Sequence, residues 1–167
     1  MPSIRQAVRR TLAPLTQTAL FRRVGRHLMP VLEAAFRVVS RGKMPISGIL
    51  VPSLTLHTIG ARSGEPRAVE LMYTPDGGGS AIVAGTNFAG ARHPAWTANL
   101  IAHPDAEIVV RGRRLAVHAE RIADSAARDA AWVRIEAQWP NYRSYERDSG
   151  RTVRLFRLRP VRELGRV

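Results

Sequence analysis

The feature that most constrains this chain is a change of hydrophobic period close to Leu50. Beyond it Leu54, Leu56 and Thr58 alternate with Thr55, His57 and Ile59 until Gly60 ends the run. A period of two places successive side chains on opposite faces of an extended strand, so this segment reads as a half-buried strand. Arg67 to Thr74 is a second candidate, followed by the turn signal Pro75-Asp76-Gly77-Gly78-Gly79. Ser80 to Gly85 is short, small and apolar, as a buried strand would be. Glu107–Val110 and Leu115–Ala119 form a hairpin about Gly112, and Thr152–Leu158 alternates as a closing strand. Two helices are interleaved. Pro94 opens one that runs to about Ala102 and is barred by Pro104. Asp124 or Ser125 caps another, running to about Gln138 with Trp132 and Ile135 inward, and Pro140 stops it. Strands joined by tight turns, without regular βαβ alternation, imply an α+β, mainly β fold: an antiparallel sheet curled into a barrel with helices around it.

Before the change of period the chain reads as an amphipathic helical arm over residues 1–44, leaving 45–167 for the barrel. Ile4, Val8, Leu12 and Leu15 recur at helical intervals, then Leu20, Val24 and Leu28, and Val31 to Val39 is apolar enough to dock on a core. Nine basic side chains against Glu33 alone fall in residues 1–50, within a net charge of +13. Such a field attracts anions of any kind without choosing among them, and no nucleic-acid fold motif accompanies it, so no nucleic-acid partner is expected. An arginine-bearing amphipathic helix can lie on an anionic membrane, or pack over a sheet or partner subunit. No run is long enough to span a bilayer, and the arginines interrupt any secretory core. The expected compartment is the cytosol, with peripheral contact at the inner face of the cell membrane as an option.

Chemistry is hard to find by motif. Cysteine is absent, which removes thiol nucleophiles, cysteine zinc sites and iron–sulfur clusters. The five histidines are scattered, without metal-ligand spacing, and there is no nucleophile elbow or Walker loop. Glu65, Glu70 and Asp76 sit beside turns or on strand faces. Two places stand out. In Gly60-Ala61-Arg62-Ser63-Gly64-Glu65-Pro66-Arg67, glycines permit a sharp bend with exposed amides, and Arg62 and Arg67 bracket it. That equipment suits a phosphate or carboxylate, and a solvated hairpin loop would look the same. In the run from Ala84 to Leu100, a strand ends in small residues, a loop follows, and a helix begins with unpaired amides; Trp96 there is either an aromatic wall or a core residue, and Asn99 is a two-way hydrogen bonder. Trp139, Tyr142 and Tyr145 lie around Pro140, as a pocket lining or a barrel plug.

Taken together, these blocks resemble the deazaflavin (coenzyme F420)-dependent nitroreductase/quinone reductase family of actinobacteria, whose members adopt a split β-barrel. The residues that carry the likeness are Thr58 to Arg67, Ile82 to Gly85, His93-Pro94-Ala95-Trp96-Thr97-Ala98-Asn99-Leu100-Ile101-Ala102-His103-Pro104, Trp139 to Tyr145, and Arg151-Thr152 opening the last strand. The likeness covers roughly residues 54 to 160.

The resemblance implies that Ala61, Arg62, Ser63, Arg67, Ala68, Val69, Glu70, Leu71 and Met72 bind the phosphate and acidic tail of the cofactor. Ala84, Gly85, Thr86 and Asn87 would lie along its ring, which Ala95, Trp96, Thr97, Ala98 and Asn99 would cradle and Tyr142 would close over. Met72, Phe88, Trp139 and Tyr145 would form the acceptor pocket. Relatives place a tyrosine at Met72 and at Trp139, a serine at Thr86, a basic residue at Asn87 and a glycine at Phe88, so nitroimidazole reduction does not carry over. The expected activity is hydride transfer from reduced coenzyme F420 to a quinone, enone or nitro compound, with Thr86, Tyr142 and Tyr145 as donors to the acceptor oxygen. Flavin mononucleotide is the second-choice cofactor and no metal is expected. The rival is a non-catalytic split barrel that binds deazaflavin, flavin or an acyl ligand. A homodimer is common among such barrels.

Overall fold

The computed structural model describes residues 52–167; the arm expected over 1–44, and the boundary after it, lie outside the described residues. The strands are β1 (Ser53–Ile59), β2 (Pro66–Met72), β3 (Thr74–Pro75), β4 (Ala81–Ala84), β5 (Asp105–Val110), β6 (Arg113–Ile122) and β7 (Leu155–Arg166). They form one antiparallel sheet in the order β2-β1-β5-β6-β7-β4-β3. Among the described residues the α-helices are α1 (Ala95–Ala102), α2 (Ser125–Gln138) and α3 (Ser144–Ser149), with a short 3₁₀ turn at Asn87–Ala89. None of these helices is long and apolar enough to cross a membrane.

Chain order explains why the sheet curls. β2 and β3 occupy opposite edges of the hydrogen-bonded order, yet only Tyr73 separates them in sequence. Consecutive Cα atoms lie about 3.8 Å apart, so the two edges must come together in space. No ladder joins them among the described residues, so the barrel is split rather than closed. The alternation of β1 sets its inner face: Leu54 and Leu56 are buried beside Tyr73, Trp96, Ile108, Val117, Phe156 and Leu158. Each such aliphatic contributes about 1.5–3 kcal/mol by leaving water. Trp96 tilts against Phe156 with ring centroids 5.7 Å apart. A second cluster, of Ile82, Ile122, Trp132, Ile135, Val153 and Leu155, unites α2 with β4 and the start of β7. Trp132 and Ile135 face inward as their spacing predicts, and Asp124 caps α2 by accepting from the Ala127 amide at 2.9 Å.

The structure corrects four boundaries. The strand expected over 67–74 divides at Tyr73, a buried residue whose carbonyl accepts from Gln138 Nε2 at 3.1 Å, and Thr74–Pro75 pairs instead with β4. The final strand does not open at Arg151-Thr152 or end at Leu158: it runs from Leu155 to Arg166. Pro160 would be expected to stop it, but a register shift between Ala116 and Val117 falls opposite, so the missing N–H lies at an irregularity of the ladder. The hairpin before it is longer than its alternation suggests, because Arg111 and Gly112 both adopt left-handed backbone (φ 51° and 74°), the requirement of a tight two-residue turn that lets pairing begin at once. Pro94 sits at the N-cap of α1, extended at φ −63° and ψ 143°, rather than in its first turn.

Candidate functional site

The glycine bend between β1 and β2 is closed by its own backbone. The Gly60 amide donates to the Glu65 carbonyl and the Gly64 amide to the Gly60 carbonyl, both at 2.8 Å. Gly64 is left-handed at φ +68°, where glycine is favoured, and a Cβ on Gly60 would meet Ser63 Oγ at 2.5 Å, so Ser63 would have to turn aside. Helix α1 anchors the bend through Asn99, whose Oδ1 accepts from the Ala61 amide and whose Nδ2 donates to Thr58 Oγ1, each at 3.0 Å. Ser63 Oγ accepts from the Glu65 amide at 3.3 Å. The amides of Gly60, Ala61, Gly64 and Glu65 are thus engaged internally, which narrows the expectation that the bend offers its backbone broadly to an anion. Among the described residues, Arg62 and Ser63 keep open amides, and the exposed guanidiniums of Arg62 and Arg67 have no partner.

Strand alternation divides the residues after the bend. Arg67, Val69 and Leu71 lie opposite Thr58, Leu56 and Leu54, on the core-facing side of β1. Ala68, Glu70 and Met72 oppose His57, Thr55 and Ser53 on the other face, where Glu70 accepts from the Thr55 hydroxyl. Only one set of side chains can therefore line a ligand on a given face. Helix α1 divides in the same way: Trp96, Thr97 and Asn99 are buried, whereas Ala95 and Ala98 are exposed. Trp96, at 7% exposure, is a core residue first.

The second segment follows β4. A Cβ on Gly85 would lie 2.7 Å from the Thr97 methyl carbon, so glycine there lets α1 seat against the loop. Thr86 is 8% exposed, and its Oγ1 lies 3.4 Å from the Tyr142 hydroxyl. Tyr142 and Tyr145 meet edge to face with centroids 5.1 Å apart. The structure thus brings together the Thr86 and Tyr142 hydroxyls and packs the Tyr145 ring beside them. Burial pushes the Tyr142 phenol well above its usual range, the Thr86 hydroxyl pulls it partly back and Tyr145 raises it, so it stays protonated at neutral pH. Gln138 Nε2 donates to the Tyr73 carbonyl at 3.1 Å, which ties the end of α2 before Trp139 to the end of the strand that carries Met72. Phe88 stands partly exposed on the loop.

This loop is strained. Asn87, Phe88 and Ala89 have φ of 49°, 50° and 59°, and left-handed backbone costs roughly 1–2 kcal/mol for each residue with a Cβ. Asn87 is tied down as its Nδ2 donates to the Arg92 carbonyl at 2.9 Å. Arg151 does more: Nε donates to the Gly90 carbonyl at 2.9 Å, Nη1 to the Gly85 carbonyl at 3.1 Å, and Nη2 to the Thr86 carbonyl at 2.6 Å. Nη1 also lies 3.0 Å from His93 Nδ1, which accepts, so the His93 proton resides on Nε2. Burial first, then Arg154, Arg151 and Arg121, hold the His93 imidazole below its ordinary pKa, in keeping with that neutral role. Helix α3, which the sequence does not announce, is held by Glu146: its Oε1 takes the Val153 amide at 2.8 Å and the Arg128 guanidinium. Gly150, at φ 65°, ends the helix and delivers Arg151. Sequence reasoning gave Gln138 no site role and placed Arg151 only in the block opening the last strand; the Gly150-Arg151 junction adds a signal for its part in the loop.

A family model of F420H(2)-dependent quinone reductases matches residues 35–160. An F420H(2)-dependent quinone reductase of Mycobacterium tuberculosis is 39% identical over 104 residues, covering 62% of this chain and 68% of that protein. Among solved structures, an F420-H2 dependent reductase, FDR-A, aligns with a TM-score of 0.57 at 24% identity, over 64% of this chain and 93% of that one. Another, described as a domain-swapped dimer, aligns at 0.60 with 22% identity, over 77% of this chain and 96% of that one. At such identities the structural matches speak to the fold, which is the split barrel. The family match spans well over half the chain, so this protein belongs to the F420H(2)-dependent quinone reductase family, oxidoreductases whose reductant is the reduced deazaflavin coenzyme F420.

Proposed function

We propose that this protein delivers a hydride from reduced coenzyme F420 to a small electrophilic acceptor, a quinone first, and an enone or nitro compound by the same chemistry. The observation that carries this reading is the contact of the Thr86 and Tyr142 hydroxyls with the Tyr145 ring packed against Tyr142. The residues present fit the coenzyme. Its acidic tail needs cationic donors that are not already paired, and Arg62 and Arg67 with the open amides of Arg62 and Ser63 supply them. The coenzyme supplies the hydride when bound. The exposed methyl face of Ala95 and Ala98 would admit a flat ring near Gly85, where a larger residue would collide with Thr97.

The protein's own contribution is orientation and charge. Hydride arrival leaves negative charge on the acceptor oxygen, and the hydroxyls of Tyr142, Tyr145 and Thr86 are the donors placed to receive it. One preorganised donor of this kind is worth roughly 100–1000-fold in rate. The Tyr142 phenol is protonated at neutral pH and can donate its hydrogen to that oxygen. Homodimerisation belongs to the same proposal, supported by the relative described as a domain-swapped dimer. The test is to mix the protein with reduced coenzyme F420 and menadione and follow reoxidation of the coenzyme. Catalysed reoxidation is expected; coenzyme that binds yet is not reoxidised by menadione, an enone or a nitro acceptor would make the protein a carrier.

A further inference from the structure

We infer that Arg151 is the positioning residue that sets Thr86 against Tyr142 and Tyr145, joining two halves of the site that lie far apart in sequence. This rests on the hydride-transfer reading for its kinetic consequence and on geometry alone for its structural one. Thr86 is carried by the loop after β4, whereas Tyr142 and Tyr145 belong to the turn after α2 and to α3. The direct contact between the Thr86 and Tyr142 hydroxyls is long at 3.4 Å and too weak to fix the register of a loop. Arg151 leaves α3 through Gly150 and places its guanidinium on the carbonyls of Gly85, Thr86 and Gly90 and on His93 Nδ1. Two of those carbonyls belong to Thr86 and the residue before it. The Gly90 carbonyl and His93 Nδ1 lie beyond the three left-handed residues Asn87, Phe88 and Ala89. The planar fork therefore clamps both ends of a strained segment that would relax once released.

The neighbouring polar side chains Asn87 and Arg154 do not span this gap. Asn87 closes the loop on itself through the Arg92 carbonyl, and Arg154 reaches Thr97 on α1 rather than the loop. A lysine could not replace the fork, because one ammonium cannot meet four acceptors arranged around a plane. Arg151 holds the Gly85 and Thr86 residues by their backbone carbonyls and touches neither Arg62 nor Arg67, so its loss should appear first in turnover and in loop order and much less in coenzyme affinity.

The experiment compares Arg151→Lys and Arg151→Ala with the full wild-type chain in three readouts. Amide hydrogen exchange without coenzyme should quicken over residues 85–93 by about tenfold or more, while 53–72 exchange as before. Turnover with menadione should fall about a hundredfold in Arg151→Ala and less in Arg151→Lys, the scale set by an ångström of misplacement. The dissociation constant for coenzyme F420 should stay within about threefold, and millimolar guanidinium ion should restore part of the turnover of Arg151→Ala. Unchanged exchange over 85–93 in Arg151→Lys, which keeps the charge and is the safer folder, would overturn the positioning role. So would a rise in dissociation constant matching the loss of turnover, since Arg151 would then hold coenzyme. If the wild type itself fails to reoxidise the coenzyme, the hydride-transfer reading fails while the exchange measurement still decides the role of Arg151.

Discussion

Two glycine-flanked turns flank the start of helix α1, and both depend on arginine, in opposite ways. In the bend from Gly60 to Arg67 the backbone closes on itself, Asn99 pins it to α1, and Arg62 and Arg67 stand exposed without partners among the described residues. In the loop from Gly85 to His93 the backbone is strained, and the guanidinium of Arg151 is consumed by three carbonyls and an imidazole. A free guanidinium beside a rigid turn keeps its donors for a ligand. A fully bonded one is part of the scaffold. The first region should therefore govern affinity and the second turnover, although their compositions are alike.

The largest effect expected from this contrast is at Tyr142. Tyr142→Phe removes one donor from the bonded region and should lower turnover about a hundredfold while leaving coenzyme affinity nearly unchanged; Tyr145→Phe should move turnover in the same direction by less. Steady-state kinetics beside a fluorescence titration separate the two, and loss of affinity without loss of turnover would break the comparison. Next in size is Arg67→Ala in the open region. It should weaken coenzyme binding by about 10–100-fold, as loss of a charge-assisted bond worth ~1.5–3 kcal/mol requires, with the melting temperature unmoved. A fall in melting temperature with unchanged affinity would mean that Arg67 is scaffold too.

The smallest effect expected is one of pH. His93 accepts from Arg151 only when neutral, and it faces Arg121 on β6, Arg151 after α3 and Arg154 before β7. Its folded pKa lies below the ordinary 6.5, so the unfolded chain takes up the proton first. The stability it contributes is present above about pH 6.5 and is lost as the pH falls through the folded value. Hydrogen exchange over 85–93 should quicken on acidification in that window while the bend does not respond. His93→Gln, which keeps an acceptor that cannot protonate there, should flatten the response.

How much of this was legible in the sequence varies by residue. The inner face of β1, the cap at Asp124 and the end of α2 follow from period and capping chemistry, which act over a few residues. The bend was legible as a turn with arginines beside it, but whether those arginines were free was not. Helix α3 was not legible at all: Ser144–Ser149 buries no residue fully and is held by the ion pair of Glu146 with Arg128, eighteen positions away. The division of the 67–74 strand at Tyr73 depends on which edge each half finds, and neither half encodes its partner.

The sequence by itself determined the antiparallel class, the two main helices, the tight bend and, through its likeness to known reductases, the coenzyme. Those rest on local backbone preference and on blocks of residues read in order. Only the tertiary structure decided which polar groups are already bonded: that Asn99 serves the bend, that Arg151 serves the loop, and that Thr86, Tyr142 and Tyr145 share one place. Hydrogen-bond saturation belongs to pairs of groups brought close by folding, and a side chain's own identity does not reveal whether its donors are taken.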